Sequence, residues 1–391
     1  MSSAKTGGTK KRAPVVLQVL PALVAGGVER GTVEIAGALR DAGWTPLVAS
    51  AGGPMQHEVE RAGATHFTLP LDSKNPFVMR RNVARLAALV EAHGIDILHA
   101  RSRAPAWSAF YAAKRTQCHF MTTFHGTYSA HNWIKRQYNA VMTKGERVIA
   151  ISEFIAGHTR RIYGVEPGKL RVIPRGVKLN TFDSARVSAE RIIQLSRQWQ
   201  LRDDAPVVLL PGRLTRWKGQ IVLIEAFALL GRKDVQCRLA GSDHGRPGYR
   251  RELERLIVER GLSDVIKITD HCKDMPAAYM LADVVVSAST DPEAFGRVVA
   301  EAQAMGRPVI ATDHGAAQET VLPGETGWLT PPGDPKKLAE ALAWALGLEP
   351  NARDRLAAKA REHIVRNYSN EAMCKATLNV YREVLGEDPI P

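Results

Sequence analysis

Asp291–Gly315 reads DPEAFGRVVAEAQAMGRPVIATDHG. A β-branched run, Val284–Ser287, precedes it, and another, Val309–Thr312, lies near its end. Pro292 and Gly296 interrupt the strand, and Arg297–Met305 has helical spacing, so the stretch reads as strand, loop, helix, strand. Glu293 then falls in the strand-to-helix loop. Glu301 falls on the second turn, roughly 6 Å up the axis from Arg297 at 1.5 Å per residue. The free N–H groups of residues 294–298 suit an anion or a hydroxyl. A carboxylate at Glu301 can accept both hydroxyls of a ribose, and one at Glu293 can bind hydroxyls beyond the phosphates. Paired acids on a helix are usually just solvated. A solvated face, however, has no use for the glycine and aromatic of Pro-Glu-Ala-Phe-Gly.

Outward from this stretch the same alternation continues. On the N-terminal side the strand candidates are Val15–Leu20, Thr45–Ser50, Asp96–His99, His119–Phe124, Arg147–Ile151 and Arg171–Ile173, with amphipathic helices at Val28–Ala42 and Phe77–His93. Residues 179–206 carry few strand signals. A second series then runs Val207–Leu210, Val235–Ala240, Val265–Thr269, Asp283–Ser287, Pro308–Thr312 and Gly327–Leu329, with helices Gly219–Leu230, Tyr249–Arg260 and Pro276–Leu281 between strands. Continuous apolar strands alternating with helices form parallel sheets covered on both faces. The expected fold is α/β: two Rossmann-like, doubly wound domains facing across a cleft. Residues 1–13 read as a disordered basic arm, 14–178 as the first domain and 179–369 as the second. Pro335–Leu346, Ala352–Tyr368 and Asn370–Leu385 read as helices, and the segment 370–391 is expected to pack back on the first domain.

Composition narrows the class. With 391 residues, 45% of them hydrophobic and 24% charged, the chain can offset the entropy cost of folding. The best N-terminal apolar stretch, Val15–Val28, is broken by Gln18, Pro21, Gly26 and Gly27, so a soluble, cytoplasmic protein is expected. Cys118, Cys237, Cys272 and Cys374 are far apart with no Cys-x-x-Cys, which predicts reduced thiols and no metal site. The net charge of +13 comes from the first 13 residues and from 101–171, where twelve Lys or Arg face only Glu146, Glu153 and Glu166. Something anionic is expected to meet that half, with Arg101, Arg103, Lys135 and Arg136 as contact candidates. A groove-reading motif or aromatic–basic platform is not evident, so nucleic acid is not expected as a partner.

Four further stretches bear chemistry. PGRLTRWKGQ, 211–220, places Arg213 and Lys218 after a strand, where two cations can neutralise a diphosphate. The chain has no Asp-x-Asp, the usual metal–diphosphate clamp. GGVERG, 26–31, opens a helix with Gly26 and Gly27, as close approach to a phosphate or sugar requires. TTFHGTY, 122–128, sets His125 at a strand tip, able to bind a substrate hydroxyl, and His99 in DILHAR has a similar, less supported location.

Taken together and in this order, these stretches resemble glycosyltransferase family 4, retaining sugar-nucleotide transferases of the GT-B fold, over nearly the whole chain from Val15. GGVER is similar to the family's first glycine loop, TFHG to its first-domain histidine, and AISEF and VIPRGVKLNTF to its interdomain segment. GRLTRWKG resembles its phosphate loop, EAFGRVVAE its Glu-x7-Glu signature, and HGAAQETVLPGETGWL the segment that follows. The resemblance implies that Arg213 and Lys218 hold the donor diphosphate and that Glu301 binds its ribose. It also implies that Glu293 and the amides of Ala294, Phe295 and Gly296 hold the sugar, with His125 near the acceptor. His271 is counted among the donor-binding residues; its neighbour Asp270 stands where the family commonly has glycine, beside the nucleobase pocket. Arg175 and Lys178 replace the family's common Asn and Asp. The resulting expectation is a metal-independent hexosyltransferase using GDP-mannose or a UDP-hexose. Its acceptor would be an anionic glycolipid at the inner face of the membrane, in lipopolysaccharide core or surface polysaccharide synthesis. The alternative is another GT-B enzyme, such as a sugar-nucleotide epimerase.

Overall fold

The structure, a computed structural model, describes residues 12–24, 26–128, 132–243, 245 and 247–390. Most of the expected basic arm lies outside them. Thirteen strands occur among the described residues: β1 Val15–Val19, β2 Thr45–Ser50, β3 Thr65–Thr68, β4 Ile97–Ala100, β5 His119–Phe124, β6 Arg147–Ala150, β7 Leu170–Val172, β8 Val207–Pro211, β9 Gln236–Ala240, β10 Ile266–Thr269, β11 Val284–Ser287, β12 Val309–Thr312 and β13 Trp328–Thr330. They form two sheets, ordered β3-β2-β1-β4-β5-β6-β7 and β10-β9-β8-β11-β12-β13. Every pairing is parallel, β1 with β2 and β4, β8 with β9 and β11. The central strands are buried along their length, VVLQV in β1 and VVLLP in β8, as strands covered on both faces must be.

Several elements escaped the sequence pattern, among them the helices Gln56–Arg61, Trp133–Asn139 and Glu153–Tyr163, and two of the misses have a clear physical reason. Strand β3, THFT, is an edge strand with no fully buried residue, so it has no apolar run. The helix Arg103–Thr116 buries chiefly alanines, Ala106, Ala109, Ala112 and Ala113, which give little hydrophobic rhythm. Where caps are strong, the helix starts lie close to their expected places. Asn75 accepts from the N–H of Phe77 and Asp334 from that of Lys337, each just before a first-turn proline.

The chain divides into two compact units. The first runs to Ala150 and adds Ala156–Ile173 and the residues from Cys374 onward. The second comprises Ile151–Ile155 and Pro174–Met373. The division therefore falls at Ile173–Pro174, slightly before the expected boundary after Lys178. The final helix, Asn370–Val384, begins in the second unit and ends in the first. Within the first unit it is held by Tyr381, fully buried, whose hydroxyl lies 2.6 Å from His99 Nδ1, and by Glu383, which accepts from Arg147 and Arg171. The second unit has its own core, with Leu210, Phe227, Leu239, Val286, Ile310 and Leu342 among its members. No helix among the described residues is long and apolar enough to cross a membrane.

In open α/β sheets ligands collect outside the carboxyl ends of the strands, where the strand order reverses. The reversal lies between β1 and β4 in the first sheet and between β8 and β11 in the second. The loops leaving β8 and β11 are Gly212–Gly219 and 288–296, the two stretches richest in chemistry in the sequence.

Candidate active site

Lys218 and Glu293 meet at the reversal point of the second sheet. The loop after β8 tightens into a short 3-10 turn, Arg216–Lys218, and ends at Gly219 in the left-handed region (φ 72°). A Cβ on Gly219 would lie 1.8 Å from the Ala288 carbonyl, so only glycine lets the two loops touch. Beside that contact Lys218 Nζ donates to Glu293 Oε1 at 2.6 Å. Ser289 Oγ donates to the same oxygen at 2.6 Å and Ser287 Oγ at 3.3 Å. Burial alone would push the Glu293 carboxyl up; the Lys218 charge and these hydrogen bonds outweigh it and hold it below the ordinary range. The Glu293 backbone is fixed from behind. Its carbonyl accepts from the N–H of Ala316 at 3.0 Å, and a Cβ on Gly315 would sit 2.5 Å from it.

The helix Arg297–Ala304 follows, capped by Gly296 at φ 78°. Among the described residues, no hydrogen-bond acceptor meets the N–H groups of Ala294, Phe295 or Gly296. The Phe295 ring is buried against Tyr368, so this residue offers its amide rather than its aromatic face. Glu301 lies one turn on with 10% of its side chain exposed, accepting from Tyr279 at 3.1 Å and from Arg297 at 3.3 Å. Burial, and then the nearby Glu301, push the Tyr279 phenol far up, keeping it a donor.

Other expected members stand differently. Arg213 is exposed, with no ion-pair partner among the described residues. The backbone just before it packs closely on the next strand's loop, since a Cβ on Gly241 would sit 1.8 Å from the Gly212 carbonyl. His271 is exposed after β10, and Asp270 is turned to solvent in an ion pair with Arg250 at 2.6 Å. Sequence reading missed Ser287, Ser289, Tyr279 and Gly315. The two-residue spacing of the serines, which aims both to one side as β11 ends, was the only available signal.

Comparison with known proteins decides the family. Residues 192–363 match the family described as "Glycosyl transferases group 1" and residues 25–181 that described as "Glycosyltransferase Family 4". Over 316 residues the chain is 31% identical to a D-inositol 3-phosphate glycosyltransferase of Xylanimonas cellulosilytica, covering 75% of this chain and 73% of that one. The chain belongs to glycosyltransferase family 4. A crystal structure of a glycosyltransferase from Rickettsia africae superimposes with TM-score 0.89 at 37% identity, covering 95% of this chain and 99% of that one. HepE of Anabaena, crystallised with UDP-glucose, shares the fold with TM-score 0.83 at 24% identity over 94% and 99% of the two chains. The fold is GT-B.

In the first unit of this glycosyltransferase, Gly27 opens the helix Gly27–Asp41 behind β1, and Gly26, its N-cap, is extended. Leu23, just upstream, is pinned by the loop after β2: a Cβ on Gly53 would lie 2.4 Å from its carbonyl. His125 is half-buried just past the end of β5. His99 is no ligand candidate. It lies inside β4, wholly buried, with Nδ1 on Tyr381 and Nε2 on Thr123 at 2.7 Å, and burial holds its imidazole well below the ordinary range.

The basic contact candidates need correcting. Arg101 is buried, with Nη1 donating to Gln18 at 2.9 Å, because it follows β4 directly beside the central strand β1. Arg103 lies over the Tyr128 ring at 4.3 Å and donates to Asn139 at 3.1 Å. Only Lys135 and Arg136 of the four are exposed.

Proposed function

We propose that this glycosyltransferase moves a hexose, with retention, from a nucleoside diphosphate sugar to an anionic glycolipid at the cytoplasmic face of the inner membrane. The pathway would be lipopolysaccharide core or surface polysaccharide synthesis, with GDP-mannose or a UDP-hexose as donor. One observation carries the donor reading: the Glu293 carboxylate, braced by Lys218, Ser287 and Ser289, directly precedes three unclaimed amides.

Lys218 has three N–H donors, one spent on Glu293, and its ammonium sits 4.4 Å over the Trp217 ring. The remaining donors suit the diphosphate, with exposed Arg213 as the second cation. Glu293 and the amides of Ala294, Phe295 and Gly296 take the sugar hydroxyls; Glu301 takes the ribose. His271 lies on the base side, and Gly26, Gly27 and His125 serve the sugar and acceptor. As the bond from the anomeric carbon to the β-phosphate oxygen breaks, charge gathers on that oxygen, where fixed cations act most strongly. The same oxygen takes the acceptor hydroxyl's proton while the new glycosidic bond forms on the face just vacated. Two side-chain cations then do the work of a metal, and a chelator should leave the rate unchanged.

A thermal-shift series with UDP, GDP, ADP and CMP tests the donor half. A nucleotide at a hundred times its dissociation constant should add about 2.7 kcal/mol of stability, and no shift with any of the four would overturn the reading. A second reading, a soluble phosphorylated polyol acceptor, follows from the name of the Xylanimonas relative. Phase partition of radiolabelled product separates the two, since glycolipid enters the organic phase and a polyol phosphate does not.

A further inference from the structure

We propose that one face of the first unit, built by the helices Arg103–Thr116 and Trp133–Asn139, seats the enzyme on an anionic bilayer, with Trp133 and Ile134 entering the headgroup region. The proposal rests on the glycolipid reading and adds to it the surface that meets lipid.

Trp133 is 74% exposed and Ile134 61%, side by side at the start of their helix. Two such neighbours left in water call for a partner. They are not a frayed end. Asn132 caps the helix by accepting from the N–H of Lys135 at 2.8 Å, and Asn139 at its far end is buried and donates to Tyr163 at 3.1 Å. Trp107 Nε1 donates to the Tyr138 carbonyl at 3.0 Å. The aromatic surface continues onto the other helix, where Trp107 lies 6.4 Å from Tyr138 and stacks at 6.1 Å on Tyr111, itself 50% exposed.

Charge selects the occupant. From Ile97 to Gly145 the chain contains no Asp or Glu. With Arg101 and Arg103 turned inward, Lys114, Arg115, Lys135, Arg136 and Lys144 remain exposed there. Lys114 and Lys144 lie over the Phe110 ring at 5.1 and 5.6 Å, so that their aliphatic stems widen the apolar surface. Aromatic and aliphatic wedges on a stretch of chain that carries exposed cations and no acid of its own match a leaflet of anionic lipid, where each basic residue strengthens binding about five-fold. A base-stacking platform would need open aromatic faces. Trp107 and Tyr138 lie tilted against each other and Ile134 has no ring, which leaves Trp133 and Tyr111 as separate open faces and makes a single-stranded nucleic acid the competing occupant that the test separates.

The test uses the full chain and vesicles of phosphatidylcholine with or without phosphatidylglycerol, free of any glycolipid, so that it does not depend on the acceptor. The protein should float with the phosphatidylglycerol vesicles and not with phosphatidylcholine alone. The W133S/I134S variant should lose about ten-fold or more in partition while keeping the nucleotide thermal shift of the parent. Headgroup-proximal brominated lipid should quench the parent's tryptophan fluorescence and quench the W133F variant less. Failure of the parent to float, or equal flotation of W133S/I134S, overturns this surface and leaves glycolipid transfer, measured in detergent, standing or falling by itself. Binding of a single-stranded oligonucleotide, or dimerisation, lost in the same variant in place of flotation also overturns it.

Discussion

Lys218 Nζ and Glu293 Oε1, 75 residues apart in the chain, lie 2.6 Å from each other in the second unit. The sequence suggested separate duties, a cation for the diphosphate and an acid for the sugar; the structure makes them one charged pair. With 14% and 20% of their side chains exposed, the two are shielded enough that removing either leaves the other costly. K218A and R213A should each lower kcat about a hundred-fold or more, since each removes a cation from the departing diphosphate, and K218A should in addition leave the Glu293 charge unpaired. Steady-state kinetics with the donor found by thermal shift checks both, and turnover within a few-fold of the parent in both variants would refute the cationic leaving-group role.

The same pair sets a pH dependence. The folded Glu293 carboxyl sits below its ordinary value, so its contribution to stability is full above about pH 4.5 and is lost as pH falls through the lowered value. In K218M only the Ser287 and Ser289 hydrogen bonds still oppose burial, so the carboxyl is held down less and the loss of stability on acidification becomes shallower. Urea midpoints between about pH 5 and pH 3 should therefore fall less steeply in the variant than in the parent, and equal slopes would show that Lys218 does not hold the Glu293 carboxyl down.

His99 gives a second acid-sensitive term. Its folded pKa is well below 6.5, so the unfolded chain takes up the proton first and stability falls as pH drops below about 6.5. The H99Q variant should show a shallower fall across this range, and an unchanged slope would show that His99 is not the group responsible.

Gly315 should matter to the chemistry without touching the ligand. G315A brings a Cβ to 2.5 Å from the Glu293 carbonyl at a left-handed position (φ 62°), displacing the loop that aims Glu293. Activity should fall at least ten-fold with about 1–3 kcal/mol of stability lost, whereas G324A, also left-handed but with nothing near its Cβ, should lose stability alone. Activity normalised to folded protein separates the two.

Tyr279 orients Glu301. Y279F removes one hydrogen bond, worth about 1 kcal/mol, and should raise donor KM several-fold with kcat little changed. Binding of the bare nucleobase, which lacks the ribose, should not change.

Much of the fold could be read from the sequence because period and punctuation are local. Runs such as VVLQV and VVLLP announce buried parallel strands, and Gly296 and Pro292 mark where β11 gives way to its helix. Edge strand β3 and the alanine-faced helix Arg103–Thr116 lacked that contrast. Within the site, the residue types and their loops were also legible: Arg213, Lys218, Glu293 and Glu301 all lie at or near the carboxyl edge of the second sheet.

Pairing was beyond reach. That Lys218 meets Glu293, that Arg101 is buried beside Gln18, and that Trp107, Tyr138 and Tyr111 line up into a surface invisible as a motif all depend on which strands and helices become neighbours. The sequence by itself determined the two α/β series, the charge bias of the first and the chemistry of the loops. Tertiary structure decided which charges neutralise one another and which face water, because solvation and Coulomb energy depend on distance and burial rather than on order along the chain.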